Sequence, residues 1–189
     1  MKKKGKVILT GKDMKMVLDR LCYQLQEHHD DFSNSCMIGI QHKGALLADR
    51  LFDRLLQLNP KNKLIRGKLD ITFSRDDFKS APKLHQAYPT EIDFLIEGKR
   101  VILVDDVLYT GRTIQAALQE LQSYGRPDRI ELLVLIDRRF NRQIPIQADY
   151  LGMRVDALDQ AYVKVDWLEE EGEDRVLFFE KDRSSHDAK

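Results

Sequence analysis

The chain has 189 residues, of which 42% are hydrophobic and 33% charged, and this is typical of one globular domain, 1–189, with a substantial core. Its 31 basic side chains are balanced by 31 acidic ones, so no overall field attracts it to nucleic acid or to an anionic membrane, although a local basic patch is still allowed. No apolar run approaches the roughly 18 residues of a membrane span, and only two cysteines are present, so we expect a reduced protein of the cytoplasm without membrane association.

The first predicted elements are a short strand, Val7–Leu9, and a helix. Thr10, followed by Asp13 three residues later, matches a capping box, in which each residue satisfies a backbone N–H group of the other. Neighbouring histidines, His28 and His29, are not predicted to bind a metal, because adjacent helical residues point about 100° apart and no further ligand cluster is visible. Apolar residues recur at helical spacing after the capping box: Met14, Val17, Leu18, Leu21 and Leu25.

A second unit joins a buried strand, Cys36–Ile40, to an apolar-rich helix, Ala45–Leu58. The loop between them, 41–44, can hold an anionic group because the first N–H groups of a helix have no partner within it. The alternative interpretation of this loop is a plain polar turn. Further along, apolar and polar residues alternate over Leu69–Phe73, which predicts a half-buried strand.

Residues 74–91 form a long polar stretch with two prolines and little periodicity. A loop of this length in a compact domain is commonly a lid over a functional site, and the alternative is a mobile surface insertion. We therefore predict a flexible lid over this range.

The central stretch of the chain is VILVDDVLYTGRT, residues 101–113. Four consecutive apolar residues at its start indicate a parallel strand buried on both faces, and Asp105 and Asp106 follow at its carboxyl end, where open parallel sheets bind ligands. Gly111 then leads into a predicted helix, 114–124, whose first N–H groups can cradle a phosphate. The two carboxylates would repel a phosphate, so ribose hydroxyls or a magnesium ion suit them better.

The rest of the sequence predicts one more buried strand and a β-hairpin. Ile130–Ile136 is a continuous apolar run, as a strand covered on both faces would be. Ala161–Trp167 alternates, an acidic segment follows, and Val176–Phe179 is apolar again, which indicates a terminal hairpin with a charged tip. The tail, 181–189, is expected to be frayed.

The central segment closely resembles the phosphoribosyl pyrophosphate motif of type I phosphoribosyltransferases. With its neighbours, the chain is most similar to the family of pyrimidine operon regulators that double as uracil phosphoribosyltransferases. The resemblance runs from about Thr10 to the last strand. It implies an α/β fold with a doubly wound, mainly parallel sheet and a small hood over about 138–165, which includes Ala148–Gly152.

The activity implied by the resemblance is transfer of phosphoribosyl from phosphoribosyl pyrophosphate to uracil, which gives UMP and pyrophosphate and uses Mg²⁺. A homodimer is the default expectation for such relatives, and a messenger RNA leader is a possible partner. Tyr109 stands where hypoxanthine-guanine relatives have an aspartate that handles the purine N7 proton, and a phenol with a pKa of about 10 is a poor base near neutrality. A pyrimidine is therefore favoured, with a purine phosphoribosyltransferase as an alternative.

The resemblance also assigns site residues. Asp105 and Asp106 would hold the ribose hydroxyls and contact metal through water, and Arg75, in the predicted lid, would reach the leaving pyrophosphate. Relatives usually carry Thr-Arg where this chain has His42-Lys43, and lysine lacks the bidentate fork of arginine. The other candidates for substrate binding are Gln41, His42, Lys43 and Gly44 for pyrophosphate, Val107, Leu108, Tyr109, Thr110, Gly111, Arg112 and Thr113 for the sugar phosphate, and Arg138 and Tyr150 on the side of the base.

A different class of function is an RNA-binding attenuator with vestigial catalysis. The first predicted helix offers Asp19 and Tyr23 where uncharged or basic RNA-contacting residues would be expected, although Arg20 is present. The balanced net charge neither supports nor opposes RNA binding. We therefore expect an enzyme first and RNA regulation second.

Overall fold

A computed structural model describes residues 5–72, 88–157 and 161–180. Its helices and strands are, in chain order, β1 (Lys6–Thr10), α1 (Gly11–His29), β2 (Ser35–Ile40), α2 (Lys43–Leu58), β3 (Ile65–Leu69), β4 (Arg100–Leu108), α3 (Arg112–Leu121), β5 (Arg129–Arg139), β6 (Tyr150–Asp156), β7 (Tyr162–Asp166), α4 (Leu168–Glu171) and β8 (Arg175–Phe179). A short 3-10 turn extends α3 over Gln122–Tyr124.

The main sheet has five strands in the order β3-β2-β4-β5-β6, and every neighbouring pair is parallel. β4 lies at its centre, with Val104 opposite Gly39 of β2 and Leu133 of β5. The four apolar residues 101–104 are fully buried, as their lack of alternation predicts. The predicted parallel α/β sheet is therefore confirmed.

Two apolar cores cover the two faces of this sheet. Side chains of α1 and α2 pack with residues such as Met37, Ile102 and Leu133 on one face. Those of α3 pack with residues such as Ile38 and Leu103 on the other. Because helices lie on both faces, the sheet is doubly wound, and the carboxyl ends of its strands are left open at one edge.

A second, antiparallel sheet has the order β1-β8-β7. β7 and β8 form the predicted C-terminal hairpin, with Val165 opposite Val176. β1 joins them from the other end of the chain, with Lys6 opposite Phe178. This small sheet stands as a hood beside the main sheet and meets it where β7 approaches β4.

Several predicted bounds are corrected by the structure. The strand expected over Leu69–Phe73 lies at Ile65–Leu69 instead. The buried central residue of this strand is Gly67, because a Cβ atom there would come within 2.9 Å of the Glu91 carbonyl oxygen. The strand therefore lacks the central apolar side chain by which its position could have been predicted. The helix expected over 114–124 begins at Arg112 and ends at Leu121.

The range 138–165 that was expected to form the hood is divided between two layers. Residues 150–156 are β6, the edge strand of the main sheet, paired in parallel with β5. The hood is instead built from β1, β7 and β8. Most of the predicted lid, with Arg75, and the tail 181–189 lie outside the described residues.

Two further expectations concern helices and thiols. No helix within the described part of the chain is both long and apolar enough to cross a membrane. Cys22 and Cys36 are buried and free, and burial raises the pKa of each thiol to about 12. They therefore serve as small core residues, as predicted.

Candidate active site

The predicted site residues meet at the carboxyl edge of the main sheet. β2, β4 and β5 are adjacent and parallel, so the loops that follow them, 41–44, 109–111 and 140–143, emerge side by side. In an open α/β sheet this edge is where ligands bind. Of the candidates that the structure describes, all but Tyr150 lie on or beside these loops.

The acidic pair ends the central strand. Asp105 is 7% exposed, and its Oδ1 accepts a hydrogen bond of 2.9 Å from the backbone N–H of Asp106. Burial raises the pKa of the Asp106 carboxyl, while the ammonium of Lys43 and nearby hydrogen bonds act in the opposite direction. Lys43 thus lies close enough to Asp106 to favour its charged form.

Gly44 brings the first turn of α2 against this acidic pair. A Cβ atom at Gly44 would lie 2.5 Å from the Val104 carbonyl oxygen and 3.0 Å from the Asp105 Cα atom. Only glycine allows this approach without moving β4. The loop 41–44 and the two carboxylates are therefore parts of one site.

The loop before α3 is shaped for an anion. Gly111 is the N-cap of the helix with a φ of 91°, in the left-handed region that glycine tolerates best. The Thr110 carbonyl oxygen accepts hydrogen bonds from the N–H groups of Gln143 and Ile144, at 2.9 and 3.0 Å. The Arg112 Nε also donates to the Gln143 Oε1 at 2.6 Å. Contacts with residues 143 and 144 thus hold the loop in place. The first N–H groups of α3 have no acceptor within the helix and can donate to an anion.

Arg138 and Tyr109 form the side of the site nearest the hood. The Arg138 guanidinium lies 3.7 Å above the centre of the Tyr109 ring and donates a hydrogen bond to the carbonyl oxygen of Ala161. Arg138 is 7% exposed, and this burial lowers its pKa from the usual value. Its Nε is buried and has no hydrogen-bond partner among the described residues.

Sequence reasoning missed the support that surrounds Tyr109. Arg142 donates to the Tyr109 carbonyl oxygen and forms an ion pair with Asp137, so it joins the ends of β4 and β5. Asp137 and Arg142 follow the predicted buried strand Ile130–Ile136, and this position at a strand end could have indicated that they lie near the site. Their role as a brace depends on the turn after β5, where Phe140 and Asn141 both adopt positive φ, and no residue pattern announces that turn.

The loop 41–44 contacts protein groups on two sides. Gln41 donates to the Pro89 carbonyl oxygen at 3.3 Å, and the peptide bond between Gln41 and His42 is cis. The His42 Nδ1 lies 2.7 Å from the Glu170 Oε1 of α4, and Lys43 donates to the Val165 carbonyl oxygen of β7. The hood is thereby joined to the loop that was predicted to bind pyrophosphate.

Tyr150 has to be removed from the candidate site. It begins β6 opposite Leu133 in the middle of β5, and its side chain extends to the end of α1 and not to the loops of the site. Its hydroxyl lies 3.1 Å from the His28 Nδ1 and 3.1 Å from the His29 Nε2, and burial raises its pKa to about 12. Tyr150 is therefore part of a buried polar cluster on the far side of the molecule.

The remaining candidates of the central segment divide into residues packed in the core and residues at the loop before α3. Leu108 is buried in the core that faces α3, and Val107 packs against the opposite core, so these side chains fix β4. Thr110 and Thr113 are half-buried at the loop, where their hydroxyls remain near the helix start.

The acidic pair fits a magnesium ion that is held mainly by a substrate. No group of three or more His, Cys, Asp or Glu side chains in the described ranges could hold a metal by itself. Mg²⁺ keeps several waters and is commonly bound by one or two carboxylates together with substrate phosphates, which is what Asp105 and Asp106 could supply.

The doubly wound sheet, the acidic pair and the anion-binding loop together define a phosphoribosyltransferase with the type I fold. A model of the phosphoribosyl transferase domain matches residues 5–166. The chain belongs to the PyrR family. It is 38% identical over 176 residues to the bifunctional protein PyrR of Elusimicrobium minutum, covering 93% of this chain and 97% of that one. It is 41% identical over 170 residues to the PyrR of Desulfosudis oleivorans, covering 90% and 93%.

Solved structures share the fold at lower identity. A hypoxanthine phosphoribosyltransferase from Staphylococcus aureus superposes with a TM-score of 0.69 at 23% identity and covers 93% of this chain and 92% of its own. That of Trypanosoma cruzi has a TM-score of 0.72 at 16% identity and covers 95% and 93%. These similarities establish the architecture, while the choice of base depends on the site itself.

Proposed function

We propose that this protein transfers the phosphoribosyl group of phosphoribosyl pyrophosphate to uracil, producing UMP and pyrophosphate. The observation that carries the proposal is the pairing of two carboxylates with a helix N-terminus at one sheet edge, within residues 101–113. The carboxylates suit ribose hydroxyls, and the N–H groups of α3 suit the 5-phosphate. A sugar phosphate bound both by the carboxylates and by the N–H groups of α3 has its C1 atom held in a fixed position.

In the proposed reaction, N1 of uracil attacks C1 of the ribose while the bond from C1 to the pyrophosphate oxygen breaks. The electron pair of that bond leaves with pyrophosphate, and the N1 proton passes to solvent. Asp105 and Asp106 orient the ribose, and the loop 110–113 holds the 5-phosphate, so base and sugar react within one complex. Magnesium, when bound with the substrate, supplies positive charge that neutralises the leaving pyrophosphate.

Tyr109 and Arg138 support a pyrimidine. The Tyr109 ring is covered by the Arg138 guanidinium, and no carboxylate stands at position 109 to serve as a base for a purine. The buried Nε donor of Arg138 can meet a carbonyl oxygen of uracil. A purine phosphoribosyltransferase is the weaker alternative.

The direct test is an assay with phosphoribosyl pyrophosphate, Mg²⁺ and uracil, hypoxanthine, guanine or orotate. We expect turnover with uracil, and a preference for hypoxanthine would contradict the argument from Tyr109. Asp106→Ala should lose phosphoribosyl pyrophosphate binding by calorimetry and keep a native circular dichroism spectrum. The matched control is Asp128→Ala, an exposed aspartate beyond the opposite edge of the sheet, which should bind as the wild type does. Equal affinity in the two variants would remove Asp106 from the site.

Regulation through RNA is the second candidate, favoured by membership of a family whose relatives are named bifunctional. One observation works against Arg20 as an RNA contact, because its Nη2 donates to the carbonyl oxygens of Leu151 and Gly152 at 3.0 and 2.7 Å. Filter binding to a pyrimidine-operon leader, with and without UMP, tests this function. Salt-dependent binding would support it, and no binding at low salt would dismiss it.

The proposal includes a homodimer that acts in the cytoplasm. Two buried, free thiols, Cys22 and Cys36, suit a reducing compartment. Light scattering coupled to size-exclusion chromatography gives the oligomeric state, and we expect twice the mass of the chain.

A further inference from the structure

The four-residue helix α4 reaches from the hood to the loop 41–44. The His42 Nδ1 lies 2.7 Å from the Glu170 Oε1, and both side chains are about one-third exposed, at 33% and 30%. On its other side, the imidazole stacks on the Tyr88 ring, with 4.8 Å between the ring centres and 16° between the planes. His42 is therefore held between a carboxylate and an aromatic ring.

The position of Glu170 is fixed by α2 itself. Arg50, two turns along that helix, forms ion pairs with Glu169 at 2.6 Å and with Asp174 at 2.8 Å, on either side of the α4 turn. Its guanidinium also lies 4.6 Å above the ring of Trp167, which is fully buried. These contacts join the turn rigidly to the helix whose first residues form the loop, so Glu170 is placed on His42 by the fold.

Lys43, the other basic side chain of the loop, also contacts protein oxygen atoms. Lys43 donates to the Val165 carbonyl oxygen and lies near the Asp106 carboxyl. Both basic side chains of the loop 41–44 thus already contact oxygen atoms of the protein. A pyrophosphate that approaches His42 would also meet the negative charge of Glu170, which repels it.

We propose that Glu170 is an internal competitor of pyrophosphate for His42, and that it lowers the affinity of the site for the pyrophosphate group. The pair opens when phosphoribosyl pyrophosphate binds, and it closes again when pyrophosphate leaves. This inference depends on the proposed function. Glu170 is a positioning residue that acts through His42.

The test compares Glu170→Gln with Glu171→Gln, a control on the same turn whose carboxylate pairs instead with Lys164 at 2.6 Å. The Glu170→Gln variant should lower the KM for phosphoribosyl pyrophosphate and the Kd for pyrophosphate with Mg²⁺ by about threefold to tenfold, as expected for removal of one partly exposed opposing charge. The value of kcat should change less than the KM. UMP has no pyrophosphate, so its Kd should stay the same.

A second variant separates action through His42 from a general effect of charge. In a His42→Gln background, Glu170→Gln should lower the KM clearly less than it does in the wild type, because the pair no longer exists and only the direct repulsion between Glu170 and pyrophosphate remains. An equal decrease in both backgrounds, an increase of the KM in Glu170→Gln, or an unchanged KM would each overturn the inference. Failure of the proposed function is distinguishable, since the wild-type protein itself would then neither turn over nor bind phosphoribosyl pyrophosphate.

Discussion

At Gly111, backbone conformation determines whether the phosphate loop can form. Its φ of 91° is unfavourable for any residue with a Cβ atom, and such an atom would lie 3.0 Å from the Ile144 Cβ. Gly98, in the turn before β4, has a φ of 67° but open space around the same position. The two glycines share the backbone requirement and differ in their surroundings.

We expect Gly111→Ala to lower the free energy of unfolding by about 1–2 kcal/mol from backbone strain, with a further loss from the contact with Ile144. Binding of UMP should weaken at least severalfold, because the loop must shift. Urea denaturation measures the first effect and calorimetry the second. Gly98→Ala is the matched control and should show the strain alone with normal UMP binding. Equal UMP affinity in the two variants would indicate that the loop 110–113 does not hold the phosphate.

The beginning of α1 is set by local hydrogen bonds. The Thr10 N–H donates to the Asp13 Oδ2 at 2.9 Å, and the Asp13 N–H donates to the Thr10 Oγ1 at 3.3 Å, which completes the predicted capping box. The spacing of Thr10 and Asp13 was enough to predict this, because both partners are close in sequence.

Thr10→Ala should remove the cap and lower the free energy of unfolding by about 1 kcal/mol. Urea denaturation followed by circular dichroism measures the change. Lys15→Ala, on an exposed position of the same helix, should leave stability within about 0.5 kcal/mol of the wild type. A Thr10→Ala variant as stable as Lys15→Ala would show that tertiary packing alone determines where α1 begins.

The strands show where sequence reasoning succeeds and where it fails. β4 and β5 were predictable because a strand covered on both faces must be apolar throughout. β3 was displaced because Gly67, its buried central residue, leaves no apolar mark. Tyr150 was assigned to the site although its side chain contacts the end of α1, because local spacing does not show the register of β6 or the direction in which its first side chain points.

In the candidate site, too, local features could be predicted from the sequence and contacts between distant segments could not. The carboxylates and the loop 110–113 lie in one continuous segment, so their chemistry could be inferred from it. The contact of Glu170 with His42 joins segments far apart in the chain, and only the packing of the hood brings them together. The acidic run after β7 indicated no more than a charged hairpin tip.

Across the whole molecule, the amino edge of the main sheet holds a buried polar cluster that links four elements. His29 of α1 contacts the Ser35 hydroxyl at 2.8 Å and the Glu131 carboxylate at 3.0 Å, and Tyr150 completes the group. Burial, together with the positive charge of Arg100, lowers the pKa of His29 to about 4. The folded protein therefore holds this imidazole neutral.

The stability of the protein should fall as the pH falls from about 6.5 to about 4. In this range the unfolded chain protonates His29 and the folded one does not, so proton binding lowers the free energy of the unfolded state relative to the folded one. The effect is at most about 3 kcal/mol. Urea denaturation at several pH values measures it. In His29→Gln the slope over this range should be smaller than in the wild type. An identical slope in the two proteins would assign the pH dependence to other groups.

The pairing of β1 with β8 has a consequence for how the protein is made. On the ribosome, residues 6–10 emerge long before their partner strand, 175–179, which follows every strand of the main sheet in the chain. The parallel sheet and its helices can fold before β8 is made, and until then β1 has no strand to pair with. A growing chain can therefore form the carboxyl edge of the main sheet before Glu170 lies beside His42, so any restraint that this contact places on pyrophosphate begins only after the residues up to β8 have been synthesised.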